Sequence, residues 1–203
     1  DKALTLMDKQ TLVIVVDTHR RSMVEFEEVL SASKSIVLID HHRRSEDFID
    51  NAVLTYHEPY ASSACEMVTE ILQYIQDNPK IGLKEAEALY AGIFLDTKGF
   101  TFKTGVRTFE AAAYLRRMGV DPVNIRRLFK TDIRDSVRLS KVISSAKIYR
   151  DNIAVAVCED TGKDLQVLVA KAADELLNIS GIEASFVIAR LGHKIIISGR
   201  SLE

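Results

Sequence analysis

Ser35-Ile-Val-Leu-Ile-Asp-His-His42 is an apolar run that ends in three polar side chains, and a second such run is Thr11-Leu-Val-Ile-Val-Val-Asp17. Runs that are apolar on both faces of a strand are typical of buried parallel strands. Between the two runs, the stretch from Met23 to Leu30 has a helical pattern and the length of a crossover. Together these three segments predict a βαβ unit and therefore an α/β fold.

The rest of the chain predicts several helices and then a second, smaller α/β module. Ser63-Ala-Cys-Glu66 has the pattern of a capping box and should open a helix. Gly192-His193 lies between two apolar segments, as in a hairpin turn. The other elements that we predict are helices over 83–96, 107–118, from 121 onward, 134–148 and 165–177, and strands over 153–157, 184–190 and 194–198.

The change of pattern near residue 148 indicates two domains. We predict a partial, parallel-sheet domain over 1–133, a linker helix over 134–150, and a smaller, partial α/β domain over 151–203.

The composition limits the kinds of molecule and environment that this chain can be expected to contact. The formal net charge of the 203 residues is -2, which gives no support for binding long nucleic acid through the overall field. Cys65 and Cys158 are too few and too far apart to form a disulfide framework. No apolar run approaches the length of a membrane-spanning helix, so we expect membrane contact only through upstream regions of a longer protein.

Polar side chains follow both predicted strands. Because neighbouring strand ends lie about 5 Å apart, Asp17 and Asp40 should meet at one edge of the sheet, and His41 and His42 follow at once. A single Asp after a strand is usually a turn or N-cap residue. Carboxylates combined with imidazoles, however, suit Mn²⁺ and its neighbours better than Ca²⁺. The pattern therefore predicts a metal site that handles phosphate groups.

At these residues the sequence resembles the DHH phosphoesterase superfamily. Asp17, the triplet Asp40-His41-His42, and Asp96 in Phe94-Leu-Asp-Thr97 match three of its motifs. The resemblance implies a site with two Mn²⁺ ions in which Asp17 bridges the metals and His41 and Asp96 complete one shell. It also implies that His42 assists the substrate phosphate as a catalytic residue and that Asp40 orients a ligand.

Within this superfamily, the sequence resembles the membrane-anchored cyclic di-AMP phosphodiesterases. It is carried by Val16-Asp-Thr-His-Arg20, Tyr60-Ala-Ser-Ser63 and the segment from Asp96 to Phe109, while 176–186 and 195–201 are similar to the start of the accessory (DHHA1) domain. It implies a bacterial second-messenger hydrolase that converts cyclic di-AMP to linear pApA at the cytoplasmic face of a membrane. A homodimer is compatible with it.

Two family features have no match in this sequence. The first metal motif, His-x-x-x-Asp-x-Asp, is absent, and the glycine-rich substrate loop of the accessory domain does not occur. We therefore expect this chain alone to hold at most one weakly bound metal and to be catalytically inactive.

Five further residues are candidates for contact with substrate. Arg43 follows the metal triplet, and Thr104 and Arg107 lie at a predicted helix start, where backbone N–H groups favour anions. Their alternatives are solvated charge and helix capping. Phe100 could stack on a base, or pack in the core. His19 is a candidate near the site, with a supporting role as its alternative.

Other functions remain open at this point. One alternative is another branch of the same superfamily: an oligoribonucleotide phosphatase, a polyphosphate hydrolase or a single-strand exonuclease. The other is a non-catalytic nucleotide-binding module.

Overall fold

The computed structural model describes residues 2–75, 81–162 and 164–202. The chain divides into two compact units, Asp1–Leu128 and Phe129–Glu203. Each unit has an α/β fold with its own sheet and its own buried core. None of the described helices is both long enough and apolar enough to cross a membrane.

The first unit contains a three-stranded parallel sheet. Its strands are β1 (Leu12–Val16), β2 (Ser35–Asp40) and β3 (Leu54–His57), in the order β1-β2-β3. The two apolar runs form β1 and β2 as predicted. Only β2 is buried on both faces, however, because Leu12, Ile14 and Val16 on one face of β1 are exposed. β3 is not among the predicted strands, although Leu54-Thr-Tyr56 contains β-branched and aromatic residues. Its side chains are exposed or half-buried, so it lacks the continuous apolar pattern of β2.

The connection between β1 and β2 is less helical than predicted. A short 3-10 turn covers Arg21–Met23, and helix α2 covers only Glu28–Ala32, after a short N-terminal helix α1 (Lys2–Leu6). Val24 is extended and half-buried, and it packs against the core below the sheet, so the predicted helix over 23–30 cannot be continuous.

Both faces of β2 are buried, which explains its uninterrupted apolar run. Ile36 and Leu38 face the cluster that contains Leu30 of α2, and Ile39 packs in a second cluster with Met67. Since successive side chains of a strand point to opposite faces, a strand covered on both sides needs apolar residues at every position.

Helices complete the first unit. They are α3 (Ala64–Tyr74), α4 (Leu83–Asp96), α5 (Val106–Arg117) and α6 (Pro122–Leu128). Ser63 caps α3 by accepting a hydrogen bond from the Glu66 backbone, as predicted, but the Glu66 side chain accepts from Ser62 instead of from the cap residue. Ile93 and Leu115 lie in the core shared by α4, α5 and α6.

The second unit is a mixed sheet covered by helices. Its elements are α7 (Ile133–Ser144), β4 (Lys147–Tyr149), β5 (Ile153–Cys158), α8 (Leu165–Leu177), β6 (Ala184–Leu191) and β7 (Lys194–Ser201). The strand order is β4-β5-β6-β7, in which β5 and β6 are parallel and the two outer pairs are antiparallel. The hairpin between β6 and β7 turns at Gly192, which has a φ of 61°.

The helix assigned to a linker over 134–150 belongs to the second unit. Val142 of α7 is buried in the same cluster as Leu168 and Leu176 of α8, and Leu139 and Ile143 pack against that cluster. The end of the predicted linker forms β4. The structural division therefore falls between residues 128 and 129, before this helix begins.

Candidate metal centre

Two neighbouring strands bring the predicted ligands to one edge of the first unit's sheet. Val16 pairs with Ile39, so Asp17 and Asp40 both stand at the carboxyl ends of their strands. The Asp17 N–H donates to the Ile39 carbonyl at 3.0 Å. Asp17 has a φ of 64°, a left-handed conformation that turns the chain out of the strand. Its side chain is 59% exposed.

His41 stands between two carboxylates. Its Nε2 lies 3.4 Å from Asp17 Oδ1 and 3.6 Å from Asp96 Oδ2. Metal bonds of about 2.1 Å place neighbouring ligand atoms about 3.0–3.5 Å apart. His41 Nε2 therefore lies from each of the two carboxylates at the spacing that a small divalent cation requires. Asp96, the last residue of α4, reaches the cluster from a different element than the two strands.

The electrostatics of the cluster also suit a cation. Burial, followed by the negative charge of Asp17, raises the pKa of Asp96. Burial, followed by the charges of Asp96 and Asp17, raises the pKa of the Cys65 thiol to about 11. Two carboxylates that repel each other in a partly buried place are stabilised by a shared positive charge.

Asp40 organises the polar groups behind this cluster. Its side chain is 0% exposed, and its Oδ2 lies 2.5 Å from His19 Nδ1. Oδ1 accepts from the backbone N–H of His41 at 2.9 Å and lies 2.7 Å from His42 Nδ1. Burial raises the pKa of Asp40, but the hydrogen bonds from His42 and His19 outweigh it, and the pKa lies below its ordinary value. Asp40 is therefore an ionised orienting group that no substrate can touch.

His42 is the exposed imidazole of the triplet. Its side chain is 55% exposed, and its Nδ1 is held by Asp40, which leaves Nε2 for other contacts. One ligand atom each from Asp17, His41 and His42 lies within 4.8 Å of the others, a grouping that could hold a metal ion. Among the described residues, this grouping contains His42 and not Asp96, so His42 is itself a candidate ligand. The catalytic role that the resemblance implies for His42 stays a prediction.

His19 is buried and cannot contact a substrate directly. The Ser45 N–H donates to His19 Nε2 at 3.0 Å, while Nδ1 is held by Asp40. Asp40 and His19 form a second grouping of possible ligand atoms with His57. The His57 Nε2, however, lies 2.7 Å from the His42 carbonyl. These contacts give His19 a supporting role, which differs from the substrate contact predicted for it.

Arg107 is held by an ion pair. Its Nε and Nη2 both lie 2.6 Å from the carboxylate of Glu70, and Nη2 also donates to the Tyr56 hydroxyl at 3.1 Å. The hydrogen bond to Glu70 is the largest contribution that raises the pKa of Arg107. The guanidinium thus ties the start of α5 to α3 and β3, and the phosphate contact of Arg107 stays a prediction. No local pattern predicts this pair, because 37 residues separate its members.

Phe100 packs in a group of aromatic rings. Its ring centroid lies 5.6 Å from that of Tyr90, 6.1 Å from that of Phe94 and 5.9 Å from that of Phe109. It is half-buried against the helical core. This position corresponds to the packing alternative and differs from the base-stacking role predicted for Phe100.

The remaining two candidates line one cavity. Arg43 and Thr104 border a space of about 530 Å³ that is also lined by Pro59, Tyr60, Lys103 and Gly105. Neither Tyr60 nor Lys103 was singled out as a site residue from the sequence. Tyr60 follows β3, so the failure to predict that strand also hid the position of this tyrosine.

Comparison with known proteins gives a family and several relatives. Residues 1–93 match the model of the DHH family, N-terminal domain. The chain is 48% identical over 203 residues to the cyclic-di-AMP phosphodiesterase GdpP of Geobacillus thermodenitrificans, covering 100% of this chain and 31% of the relative. It is 44% identical over 201 residues to the cyclic-di-AMP phosphodiesterase PdeA of Listeria monocytogenes, covering 98% of this chain and 31% of that one. The chain thus spans about a third of the length of these relatives.

A solved structure has the same fold. The crystal structure of an exopolyphosphatase-related protein from Bacteroides fragilis matches with a TM-score of 0.84 at 22% identity. The match covers 100% of this chain and 61% of that protein's chain. At this level of identity the likeness concerns the fold alone.

Proposed function

The chain belongs to the DHH family, and on that premise we propose that it forms part of a manganese-dependent phosphodiesterase that hydrolyses cyclic di-AMP to linear pApA. The reaction adds one water across one phosphodiester bond of the ring. The identity of 44–48% to two cyclic-di-AMP phosphodiesterases over nearly the whole chain supports this choice of substrate. The anchoring of a longer protein at the membrane and the formation of a homodimer stay predictions.

One observation carries the proposal: His41 Nε2 stands 3.4 Å from an Asp17 oxygen and 3.6 Å from an Asp96 oxygen. These distances exceed those of good hydrogen bonds, yet they bring His41, just after β2, near a carboxylate that follows β1 and another at the end of α4. One nitrogen and two carboxylate ligands suit Mn²⁺, Fe²⁺ or Zn²⁺ better than Ca²⁺. When bound, such a cation would supply Lewis acidity to a phosphoryl group.

The chain's own residues would hold and orient the substrate phosphate. Asp40 accepts a hydrogen bond from His42 Nδ1 and so fixes the imidazole ring. A protonated His42 would then donate from Nε2 to a phosphate oxygen. Asp40 also accepts from the backbone N–H of His41, so one buried carboxylate sets the position of both a proposed metal ligand and a proposed phosphate donor.

The test uses the full-length protein that carries this sequence. We would compare kcat/KM for cyclic di-AMP, cyclic di-GMP, pApA, pyrophosphate and a DNA oligomer in Mn²⁺ with one preparation. We expect cyclic di-AMP to give the highest value. If pyrophosphate or DNA is preferred by more than about tenfold, which corresponds to about 1.4 kcal/mol of transition-state free energy, the substrate assignment is wrong.

Two variants test the metal ligands separately from the substrate. Asp17→Ala and His41→Ala should abolish hydrolysis and weaken Mn²⁺ binding measured by calorimetry. The circular-dichroism melt of His41→Ala should stay close to that of the parent, while Asp17→Ala should melt somewhat lower because alanine is strained at a φ of 64°. Asp47→Ala is the matched control. Asp47 is an exposed carboxylate that accepts hydrogen bonds from Ser22 and is not one of the candidate metal ligands. Retention of both Mn²⁺ affinity and activity in Asp17→Ala or His41→Ala would refute the ligand assignment.

A further inference from the structure

A cavity of about 530 Å³ lies in the first unit and is lined by Arg43, Pro59, Tyr60, Lys103, Thr104 and Gly105. We refer to it as the basic cavity, because two of its six lining residues are cationic and none is acidic. Its volume falls within the range of about 300–1,000 Å³ that is typical of small-molecule sites.

The basic cavity is bordered by the same chain segments as the metal centre. Arg43 directly follows His42, and Lys103 to Gly105 belong to the loop that follows Asp96. We therefore expect a ligand in this cavity to extend toward the candidate metal centre.

The functional groups of the basic cavity are available to a ligand. Tyr60 is 93% exposed. Within residues 2–75, 81–162 and 164–202, no hydrogen bond or ion pair involves the side chain of Arg43 or of Tyr60. Arg107 provides the contrast, since Glu70 already occupies its guanidinium. The guanidinium of Arg43 is thus available to a phosphate at this edge of the unit.

The loop that carries Lys103 and Thr104 is held in place before any ligand binds. The Thr97 carbonyl accepts from the N–H groups of both Thr101 and Phe102, each at 2.9 Å. At the other end of the loop, the Gly105 N–H donates to the Thr108 hydroxyl at 3.0 Å. Because little conformational entropy remains to be lost, such a loop favours binding.

We propose that the basic cavity binds the second nucleotide of the dinucleotide, the one whose phosphodiester bond is not hydrolysed. Tyr60 stacks on its base, and Arg43 and Lys103 contact its phosphate. This inference rests on the proposed function and adds the part of the site that distinguishes a dinucleotide from smaller phosphate compounds. A polyphosphate would need the two cations but not the aromatic ring, since only a base gains from stacking.

Kinetics in the full-length protein provide the first test. Tyr60→Ala should raise KM for cyclic di-AMP at least tenfold, equivalent to about 1.4 kcal/mol. Tyr60→Phe should have a KM close to that of the parent protein, because the aromatic ring is kept. Bis(p-nitrophenyl) phosphate is the reference substrate, since it is a diester without a second nucleoside. In Tyr60→Ala, the ratio of kcat/KM for cyclic di-AMP to kcat/KM for bis(p-nitrophenyl) phosphate should fall at least tenfold. Arg43→Ala should shift the ratio in the same direction.

Tyr74→Ala is the matched control. Tyr74 is 85% exposed and borders another cavity of the same unit, which Glu70 also lines. We expect the ratio of the two kcat/KM values in Tyr74→Ala to equal that of the parent protein. If Tyr74→Ala and Tyr60→Ala change the ratio equally, or if Tyr60→Ala lowers activity on both substrates to the same extent, the basic cavity has no role in binding the second nucleotide.

Binding to the 203-residue chain provides a test that needs no turnover. A pApA probe that carries a fluorescent etheno-adenine should bind with an anisotropy change, and Tyr60→Ala should weaken its Kd about tenfold. If the full-length protein hydrolyses cyclic di-AMP but Tyr60→Ala changes neither KM nor this Kd, the proposal for the basic cavity fails and the proposed function stands. If the probe binds through Tyr60 but cyclic di-AMP is not hydrolysed, the proposed function fails and the cavity assignment stands.

Discussion

At the scale of single residues, the Asp40 carboxylate connects the groups around the metal centre. One oxygen holds His19, and the other holds His42 and the backbone N–H of His41. All of these donors meet at a side chain with no exposed surface. A buried donor that loses its acceptor costs its full desolvation free energy, so the network depends on both oxygens being present.

We expect Asp40→Asn to lower kcat of the full-length protein about 10- to 100-fold, the range found for partners of metal ligands. One oxygen becomes an amide NH2, which cannot accept a hydrogen bond from an imidazole N–H. The free energy of unfolding of the 203-residue chain should also fall by about 1–3 kcal/mol. Kinetics and urea denaturation measure the two effects, with the exposed Asp47→Asn as control. A stability loss with unchanged kcat would show that Asp40 only supports the fold.

At the scale of elements, α3 and α4 approach each other closely at Gly92. A Cβ added at Gly92 would overlap the Cys65 sulfur. Glycine inside a helix costs up to about 1 kcal/mol relative to alanine, so its presence within α4 reflects this contact. The same approach places α4, and with it Asp96, next to the strand ends.

Gly92→Ala should therefore destabilise the chain despite its better helix propensity. Overpacking of a core contact costs about 1–3 kcal/mol, and urea denaturation would measure the loss. In the double variant Gly92→Ala with Cys65→Ala, part of the loss should be recovered, because the sulfur atom is gone. If the two substitutions are additive in a double-mutant cycle, the contact between the helices does not explain the glycine.

The start of the second unit shows an ion pair that should respond to pH. Arg138 of α7 donates from Nε and Nη2 to the Asp160 carboxylate at 2.8 and 2.9 Å, and the Gly162 N–H donates to it at 2.7 Å. The hydrogen bond from Arg138, followed by that from Gly162, lowers the pKa of Asp160 to about 2.

A folded-state pKa below the unfolded one means that ionised Asp160 stabilises the fold. This contribution is complete well above the ordinary pKa of 3.8 and is lost as pH falls toward 2. The difference in urea midpoint between the parent chain and Asp160→Asn should therefore be largest at neutral pH and shrink between about pH 4 and pH 2. Asp151→Asn, at an exposed position between β4 and β5, serves as control. A difference that is independent of pH would contradict the role of the ion pair.

At the scale of the whole molecule, each unit has a separate core. Leu176 of α8 is 0% exposed within the cluster of the second unit, whereas Leu38 belongs to a cluster of the first. Leu176→Ala removes a buried side chain and should cost about 2–5 kcal/mol. In peptides of the second unit, hydrogen exchange should be faster in Leu176→Ala than in the parent chain. In peptides from β1 and β2, the exchange rates of the two proteins should be nearly equal. An equal loss of protection in both units would mean that they unfold as one.

Local patterns were sufficient to predict the strand that precedes Asp17 and the strand that ends at Asp40, because each is a continuous apolar run. Burial of both faces explains this run in β2 but not in β1, where Leu12, Ile14 and Val16 are exposed. The family resemblance then predicted Asp96, and the structure places it 3.6 Å from His41. The pair of Arg107 with Glu70 could not be predicted, since charges far apart in sequence leave no periodic signal. The surroundings of Tyr60 depend on β3, whose pattern is weak because its side chains are only partly buried.

The left-handed backbone of Asp17 has a consequence for laboratory evolution. At a φ of 64° most side chains are strained, and asparagine is among the few that tolerate the conformation. Asp17→Asn would keep this tolerance and remove the repulsion between Asp17 and Asp96 that contributes to the raised pKa of Asp96. A library selected only for survival of heating without metal should therefore enrich asparagine at position 17. Sequencing of the survivors would reveal it, and the enriched clones would have gained thermal stability by losing a carboxylate that we propose binds a metal ion.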